Sequence, residues 1–326
     1  MRYRNLGRWG IKVSAVGLGS WLTYGGQVEE ETAKACVERA YALGITFFDT
    51  ANVYSRGRAE EVMGRALAQF RRDSYVLATK VFFPMADGPN DRGLSRKHVF
   101  EQCHLSLRRL GVEYIDLYQC HRFDKNTPVD ETCAIMNDLV RQGKILYWGV
   151  SEWTADQIES VVTTCRTRGW SEPVSNQPQY SALWRQIEQR VLPTCVQYGM
   201  GSVVWSPLAQ GVLTGKYGQA SHPPEGSRAA GAAAEMMEDY FTQPVLDAVQ
   251  RVVPLAKEAG LTPAQFALAW CLRKPGISSV IVGATQPHHV DDNAGAGSAD
   301  VDDELFAKMD EILLPVAAKP EAEQFV

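Results

Sequence analysis

Short apolar runs rich in β-branched and aromatic residues alternate with longer segments of helical period from residue 15 to about residue 295. The runs at 15–19, 46–50, 75–80, 115–121, 145–151, 174–177, 202–206 and 279–283 make eight candidate strands. Strands that each lead into a helix must pair in parallel. Eight such units in one continuous series predict a single (β/α)8 TIM barrel of the α/β class, occupying 1–326 as one domain. Residues 3–6 and 11–14 flank Gly7-Arg8-Trp9-Gly10 and predict an N-terminal β-hairpin that plugs the barrel floor.

The helices carry their own start and stop signals. Ser95 precedes Val99, Cys103, Leu107 and Leu110 on one face, and Gly111 stops the run at a left-handed cap. Thr127 reads as an N-cap with Pro128 at the first helical position, ahead of Val129, Cys133, Met136 and Val140. Thr154 with Gln157, and Thr262 with Gln265, fit capping boxes. Residues 207–240, with Gly211, Gly215, Gly218, Pro223, Pro224 and the Ala/Gly tract 229–234, read as a long functional loop after strand seven. Compact domains rarely carry idle loops above ~15 residues. One further helix is expected at 302–313.

A doubly wound sheet is the rival arrangement, and it calls for a Gly-rich phosphate loop after the first strand. There the chain reads Gly17-Leu18-Gly19-Ser20-Trp21-Leu22-Thr23, which begins as G-x-G but lacks the third glycine. The barrel is therefore favoured.

Composition is that of a globular protein, 45% hydrophobic and 22% charged. A net charge of −5 spread along 326 residues argues against nucleic acid or an anionic membrane as the main partner. Seven scattered cysteines show no CxxC pair and no metal-ligand spacing, so they read as reduced thiols and no metal is expected. With no signal segment and no membrane-length apolar stretch, the expected location is the cytoplasm, without direct membrane insertion.

In a barrel, side chains at the C-terminal strand ends face the active site. Asp49 ends strand two, Tyr54 follows in the same loop, Lys80 ends strand three and His121 ends strand four. Singly these are a helix cap, a loop aromatic, a surface lysine and a polar terminus. Jointly they make chemistry, because the apolar strand Tyr75-Val76-Leu77-Ala78-Thr79-Lys80 has little reason to end in lysine unless Asp49 awaits it. A carboxylate–ammonium pair beside Tyr54 is expected to lower the phenol from its free pKa of ~10 and make it a general acid. His121 would orient a carbonyl by hydrogen bonding. Trp21, Tyr54, Phe83 and His121 would line a pocket for aromatic or medium-chain aldehydes.

The segment Gly44-Ile45-Thr46-Phe47-Phe48-Asp49-Thr50-Ala51-Asn52-Val53-Tyr54 resembles the aldo-keto reductase signature, and the spacing to Lys80 and His121 agrees. Tyr3–Gly7, Gly93–His98, Trp205–Ala209 and Ala269–Arg273 resemble most closely the branch holding the β subunits of voltage-gated potassium channels. The resemblance implies NADP(H)-dependent reduction of a small-molecule carbonyl, with NAD(H) possible. It places Ser20, Trp21 and Asp49 beside the cofactor and Ser151 and Gln177, with neighbouring Asn176, on the nicotinamide carboxamide. Trp205 lies against the nicotinamide ring, and Ser206, Pro207 and Leu208 begin a segment over the pyrophosphate with Lys216 as its cation. Arg228 stands near the phosphates, while Gly283, Thr285, His289, Asp292 and Asn293 hold the adenosine end. Independently, a loop after strand eight that leads into a helix N-terminus is where barrels commonly hold phosphate. Many relatives have arginine where His289 stands, which bears on the choice between NADP and NAD. Channel β subunits carry Asn in place of His121, so His121 favours an active reductase over a regulatory subunit. The same branch implies a homotetramer.

Overall fold

The structure, a computed structural model, describes residues 1–318 apart from Leu22, Gln27, Pro223, Glu225, Gly226, Ala232 and Ala233. A hairpin opens it, with β1 (Tyr3–Asn5) antiparallel to β2 (Lys12–Ser14) and Tyr3 opposite Ser14. Eight parallel strands follow. They are β3 (Val16–Gly19), β4 (Phe47–Asp49), β5 (Val76–Val81), β6 (Ile115–Cys120), β7 (Ile145–Val150), β8 (Ser175–Asn176), β9 (Gly201–Val204) and β10 (Ile277–Gly283). Each pairs with its neighbour in sequence, and β10 closes on β3 to make a barrel. Every predicted strand is present, and the doubly wound alternative falls because closure leaves no sheet edge.

Alternation along the strands sorts the side chains into two layers. Phe47, Ala78, Leu117, Val203 and Ile281 turn inward and meet Leu6 and Val13 of the hairpin, which plugs the floor as expected. Phe48, Leu77, Tyr118 and Trp148 turn outward to the helices. Two residues beyond the inward Phe47, Ala78 and Leu117 stand Asp49, Lys80 and Gln119, so the face that fills the floor also carries polar groups to the top.

Ten helices surround the strands among the described residues: α1 (Glu30–Ala42), α2 (Arg58–Leu67), α3 (Arg96–Leu110), α4 (Val129–Arg141), α5 (Ala155–Arg168), α6 (Val191–Tyr198), α7 (Gln243–Glu258), α8 (Pro263–Leu272), α9 (Pro287–Gly295) and α10 (Asp303–Leu313). The Ser95 cap, the Gly111 stop and both capping boxes form as predicted. Thr127 does not cap α4. Pro128 takes the N-cap position, and the Thr127 hydroxyl donates to Asp124 Oδ2 at 2.8 Å. Asp124 also accepts from Leu94 N at 2.7 Å and Asn126 N at 2.9 Å, which fastens the loop after β5 to the loop after β6. Gly93 sits at φ 86°, and a Cβ there would lie 2.4 Å from the same carboxylate. The predicted long loop 207–240 is partly built of short helical turns at Ala209–Thr214, Arg228–Ala230 and Ala234–Met237. Among the described residues no helix is long and apolar enough to cross a membrane.

One buried ion pair braces the helical shell. The carboxylate of Glu60, on α2 and fully buried, accepts from Thr79 Oγ1 at 2.6 Å and from Arg109 Nε of α3 at 2.6 Å. Removing one partner strands a charge in a low-dielectric layer, at a cost of about 3–5 kcal/mol. Arg109→Met is therefore expected to lower the unfolding free energy by about that amount in a urea titration. A loss under about 1 kcal/mol would show that the pair is no better than a surface contact.

Candidate active site

The upper row of the inward face converges on one ammonium group. Lys80, fully buried and one residue before the end of β5, donates to Asp49 Oδ1 at 2.5 Å and to the carbonyl of Thr50 at 2.8 Å. Its third contact is the Tyr54 hydroxyl at 3.3 Å. Three donors thus meet three acceptors. The other oxygen of Asp49 accepts from Gln177 Nε2 at 2.9 Å and Gln119 Nε2 at 3.4 Å, so the carboxylate is held from three further strands. Tyr54 reaches this point from a tight turn, Tyr54–Gly57, in which Ser55 and Arg56 take left-handed φ of 48° and 52°.

His121 follows β6 directly, its ring edge-on to Tyr54 with centroids 5.8 Å apart and edge-on to Phe83 at 4.9 Å. Asp49, Tyr54, Lys80 and His121 are therefore brought together, with Phe83 beside them. The His121 Nδ1 is buried without a hydrogen-bond partner. A proton there would be an orphaned donor, so the favoured tautomer carries it on Nε2.

Burial is the largest influence on Lys80, Tyr54 and His121. It opposes the charge of Lys80, yet Asp49 and Tyr54 outweigh it and hold the ammonium above its ordinary range. It pushes Tyr54 up, with Lys80 pulling down and Asp49 pushing up, and the phenol ends above its ordinary value. The expectation of a lowered Tyr54 is thus reversed: desolvation of the phenolate outweighs the nearby ammonium. His121 falls well below its ordinary value, through burial first and then the charges of Lys80 and Arg122, so it is neutral near pH 7.

Beside this cluster, Trp21 and Trp205 meet edge to face at 5.7 Å. Trp205 Nε1 donates to Glu152 Oε1 at 2.6 Å, and Gln179 N donates to the same oxygen at 2.6 Å. Ser151 Oγ donates to the carbonyl of Gln177 at 2.8 Å, and Ser20 Oγ to Thr50 Oγ1 at 2.8 Å. Further along the rim, Ser206 Oγ accepts from Gln210 Nε2 at 2.6 Å, Pro207 is buried and Leu208 half-buried. Lys216 is exposed over Gly211. Gly283 and Thr285 are exposed ahead of α9, with Thr285 Oγ1 3.2 Å from His289 Nδ1. The α9 helix is seated by Thr262 Oγ1 and Gln265 Nε2, which bond Asp292 Oδ1 and O at 2.8 Å and 2.9 Å, and Asn293 is buried beneath. Burial lowers His289, helped by His288 and Lys216, so Lys216 and α9 share one neighbourhood.

One expected neighbour stands apart. Asn176 lies beside the Cys195 thiol of α6, because alternation turns it outward where Gln177 turns inward. The side chain of Arg228 lies outside the described residues. The exposed cation, hydroxyls and aromatic faces that remain fit a dinucleotide phosphate and a flat ring.

Backbone strain gathers at the same end. Among the described residues, all six non-glycine residues with left-handed φ are Ser55, Arg56, Glu152, Ser206, Ala209 and Gln210. They occupy the loops after β4, β7 and β9. Each costs about 1–3 kcal/mol, and such cost persists where packing imposes it, commonly at functional sites.

The aldo/keto reductase family profile matches residues 15–314, nearly the whole barrel. The chain belongs to the aldo/keto reductase family. Proteins of Arabidopsis thaliana and Oryza sativa subsp. japonica, each named "Probable voltage-gated potassium channel subunit beta", are 41% identical over 299 residues. Those matches cover 91% of this chain and 91% of each relative. A Schizosaccharomyces pombe relative with a similar channel-subunit name is 42% identical over 321 residues, covering 95% of this chain and 93% of its own. The resemblance to the channel-subunit branch of the aldo/keto reductases is thereby borne out.

Sequence reasoning missed three side chains at this aldo/keto reductase centre. Gln119 was legible, since it stands two residues before His121 on an inward-facing strand. Arg122 and Glu152 were not, because nothing in periodicity distinguishes a charged loop residue that turns inward from one that turns to solvent.

Glu152 has a measurable consequence. Burial raises its carboxyl above the ordinary value of 4.5, against the pull of Arg122, Trp205 and Gln179 N. A raised folded-state pKa means that its contribution to stability is complete below about pH 4 and is lost as pH rises through the raised value. Glu152→Gln, which keeps an accepting oxygen, removes that loss. The melting temperature of the variant relative to the parent should therefore climb between pH 4 and 7; a gap independent of pH would show that the carboxyl is not raised.

Proposed function

We propose that this chain is an NADP(H)-dependent reductase of aldehydes and ketones, with Tyr54 as the proton donor. The observation that carries the reading is the Lys80 ammonium, which touches both Asp49 and the Tyr54 hydroxyl inside a barrel of this family. The nicotinamide cofactor, when bound, supplies the hydride. Every other part falls to the protein. A carbonyl oxygen seated between the Tyr54 hydroxyl and His121 Nε2 accepts two hydrogen bonds, and neutral His121 orients it without competing for the proton. As charge builds on that oxygen, the Tyr54 proton crosses to it and Lys80 stabilises the phenolate left behind. Trp21 and Phe83 exclude water from the substrate side.

Ser20, Trp21, Asp49, Ser151, Gln177, Trp205, Ser206, Pro207 and Leu208 would border the cofactor's reactive end and diphosphate, with Lys216 and Arg228 as cations. Gly283, Thr285, His289, Asp292 and Asn293 would hold its adenosine end. NADP is preferred over NAD in this reading, although His289 supplies no charge. The names of the relatives favour a second role, a cofactor-bearing β subunit docked on a channel, in which the chain would be a cytoplasmic homotetramer.

The test mixes purified protein with NADPH and a panel including 4-nitrobenzaldehyde and methylglyoxal, following nicotinamide absorbance. Turnover is expected, and Tyr54→Phe should lower kcat at least about a hundredfold while NADPH still binds. Full activity in Tyr54→Phe would remove Tyr54 from the role of acid, and no turnover across the panel would leave the channel-subunit role. His289→Arg should raise the ratio of NADPH to NADH affinity about tenfold, the worth of one charged hydrogen bond. An unchanged ratio would place the 2′-phosphate elsewhere.

A further inference from the structure

The mouth of the site holds a cation, Arg122, for which the described residues supply no ion-pair partner. Arg122, half-buried, directly follows His121, and its guanidinium carbon lies 5.5 Å from the centroid of the Phe83 ring, itself 4.9 Å from the His121 ring. One of its nitrogens, Nη1, donates to the carbonyl of His121 at 2.6 Å. Its charge is felt at Tyr54, His121 and Glu152, which places it beside the reacting groups and not out in solvent.

Among the described residues no carboxylate lies within 4.0 Å of this guanidinium, and the three nearby acids are engaged elsewhere. Asp124, two residues along, accepts from Leu94 N, Asn126 N and Thr127 Oγ1. Asp49 is held by Lys80, Gln119 and Gln177. Glu152, the acid that does feel Arg122, stands beyond ion-pair distance and accepts through Oε1 from Trp205 and Gln179. A half-buried guanidinium loses hydration and regains it best from a planar, bidentate anion. Its position over Phe83, one side chain away from His121, fixes where that anion would sit relative to the carbonyl.

We propose that Arg122 selects carbonyl substrates that carry a second, anionic group, a carboxylate in the first instance, set about one aromatic ring away from the reacting carbonyl. The inference rests on the reductase reading above and deepens it. The neighbouring apolar surfaces of Trp21 and Phe83 receive the body of the substrate, and Arg122 pins its far end. The same guanidinium helps stabilise the phenolate that Tyr54 becomes, so it acts on both ends of the substrate.

The test compares kcat/KM for 4-carboxybenzaldehyde with that for its neutral methyl ester, methyl 4-formylbenzoate, in the parent, Arg122→Met and Arg122→Lys, all with NADPH. The parent should favour the carboxylate, and the ratio of the two values should fall about tenfold or more in Arg122→Met, chiefly through KM of the acid. Arg122→Lys should keep part of the preference, as a charge without the fork. A parent that favours the ester, or a ratio unchanged in Arg122→Met however the absolute rates move, overturns the proposal. Should neither aldehyde turn over, the reductase reading fails by itself. Terephthalate binding, read by quenching of the tryptophan emission, then decides about Arg122: affinity lost in Arg122→Met upholds the anion site, and equal affinity sinks it.

Discussion

The buried pair between Lys80 and Asp49 is the constraint around which the upper barrel is arranged. An ammonium with no exposure is tolerated only when each of its protons has an acceptor and its charge has a counter-charge. Lys80 finds these on Asp49, Thr50 and Tyr54, all in one strand end and the loop that follows. That requirement dictates the course of the chain after β4, since the Thr50 carbonyl must turn inward and Tyr54 must return over the barrel. The left-handed Ser55 and Arg56 follow from that return. Gln119 and Gln177 then saturate Asp49 from across the barrel, so the register of β4, β5, β6 and β8 is tied to one carboxylate.

The floor of the barrel and its chemistry are two readings of one alternation. Phe47, Ala78 and Leu117 fill the interior against the hairpin, and the next inward residue on each strand is Asp49, Lys80 or Gln119. A one-residue slip would turn Asp49, Lys80 and Gln119 into the apolar helical shell and take the inward apolar set off the barrel floor. Apolar packing therefore enforces the register of the charges, and the loops are fixed separately. Asp124 clamps the loops after β5 and β6 together, and Gly93 is required because any Cβ would collide with that clamp.

Much of this was legible in the sequence. The eight strands, the hairpin, the capping boxes and the convergence of Asp49, Tyr54, Lys80 and His121 follow from period and position, because strand ends in a barrel all point to one place. What was not legible depended on competition between partners. Thr127 does not cap α4 because its hydroxyl is committed to Asp124, whose carboxylate gathers donors from two loops, and a local cap signal does not foresee that competition. Asn176 was one residue from an inward position, and its contact with the Cys195 thiol of α6 shows that it faces out. Arg122 and Glu152 look like loop charges until the fold turns them inward.

The reversal at Tyr54 bears on how the proposed reduction would work. A phenol already lowered to neutral pH would be partly ionised at rest and would have no proton to give when a carbonyl arrives. Burial keeps the proton in place, and the charges of Lys80 and Arg122 act against that burial. Their attraction grows only as negative charge appears on the departing side of the proton, so it favours the transition state over the resting one. Neutral His121 completes the logic, since an imidazolium at that position would itself compete as the acid. In the proposed reaction the arrangement separates storing a proton, which desolvation does, from releasing it, which the cations do.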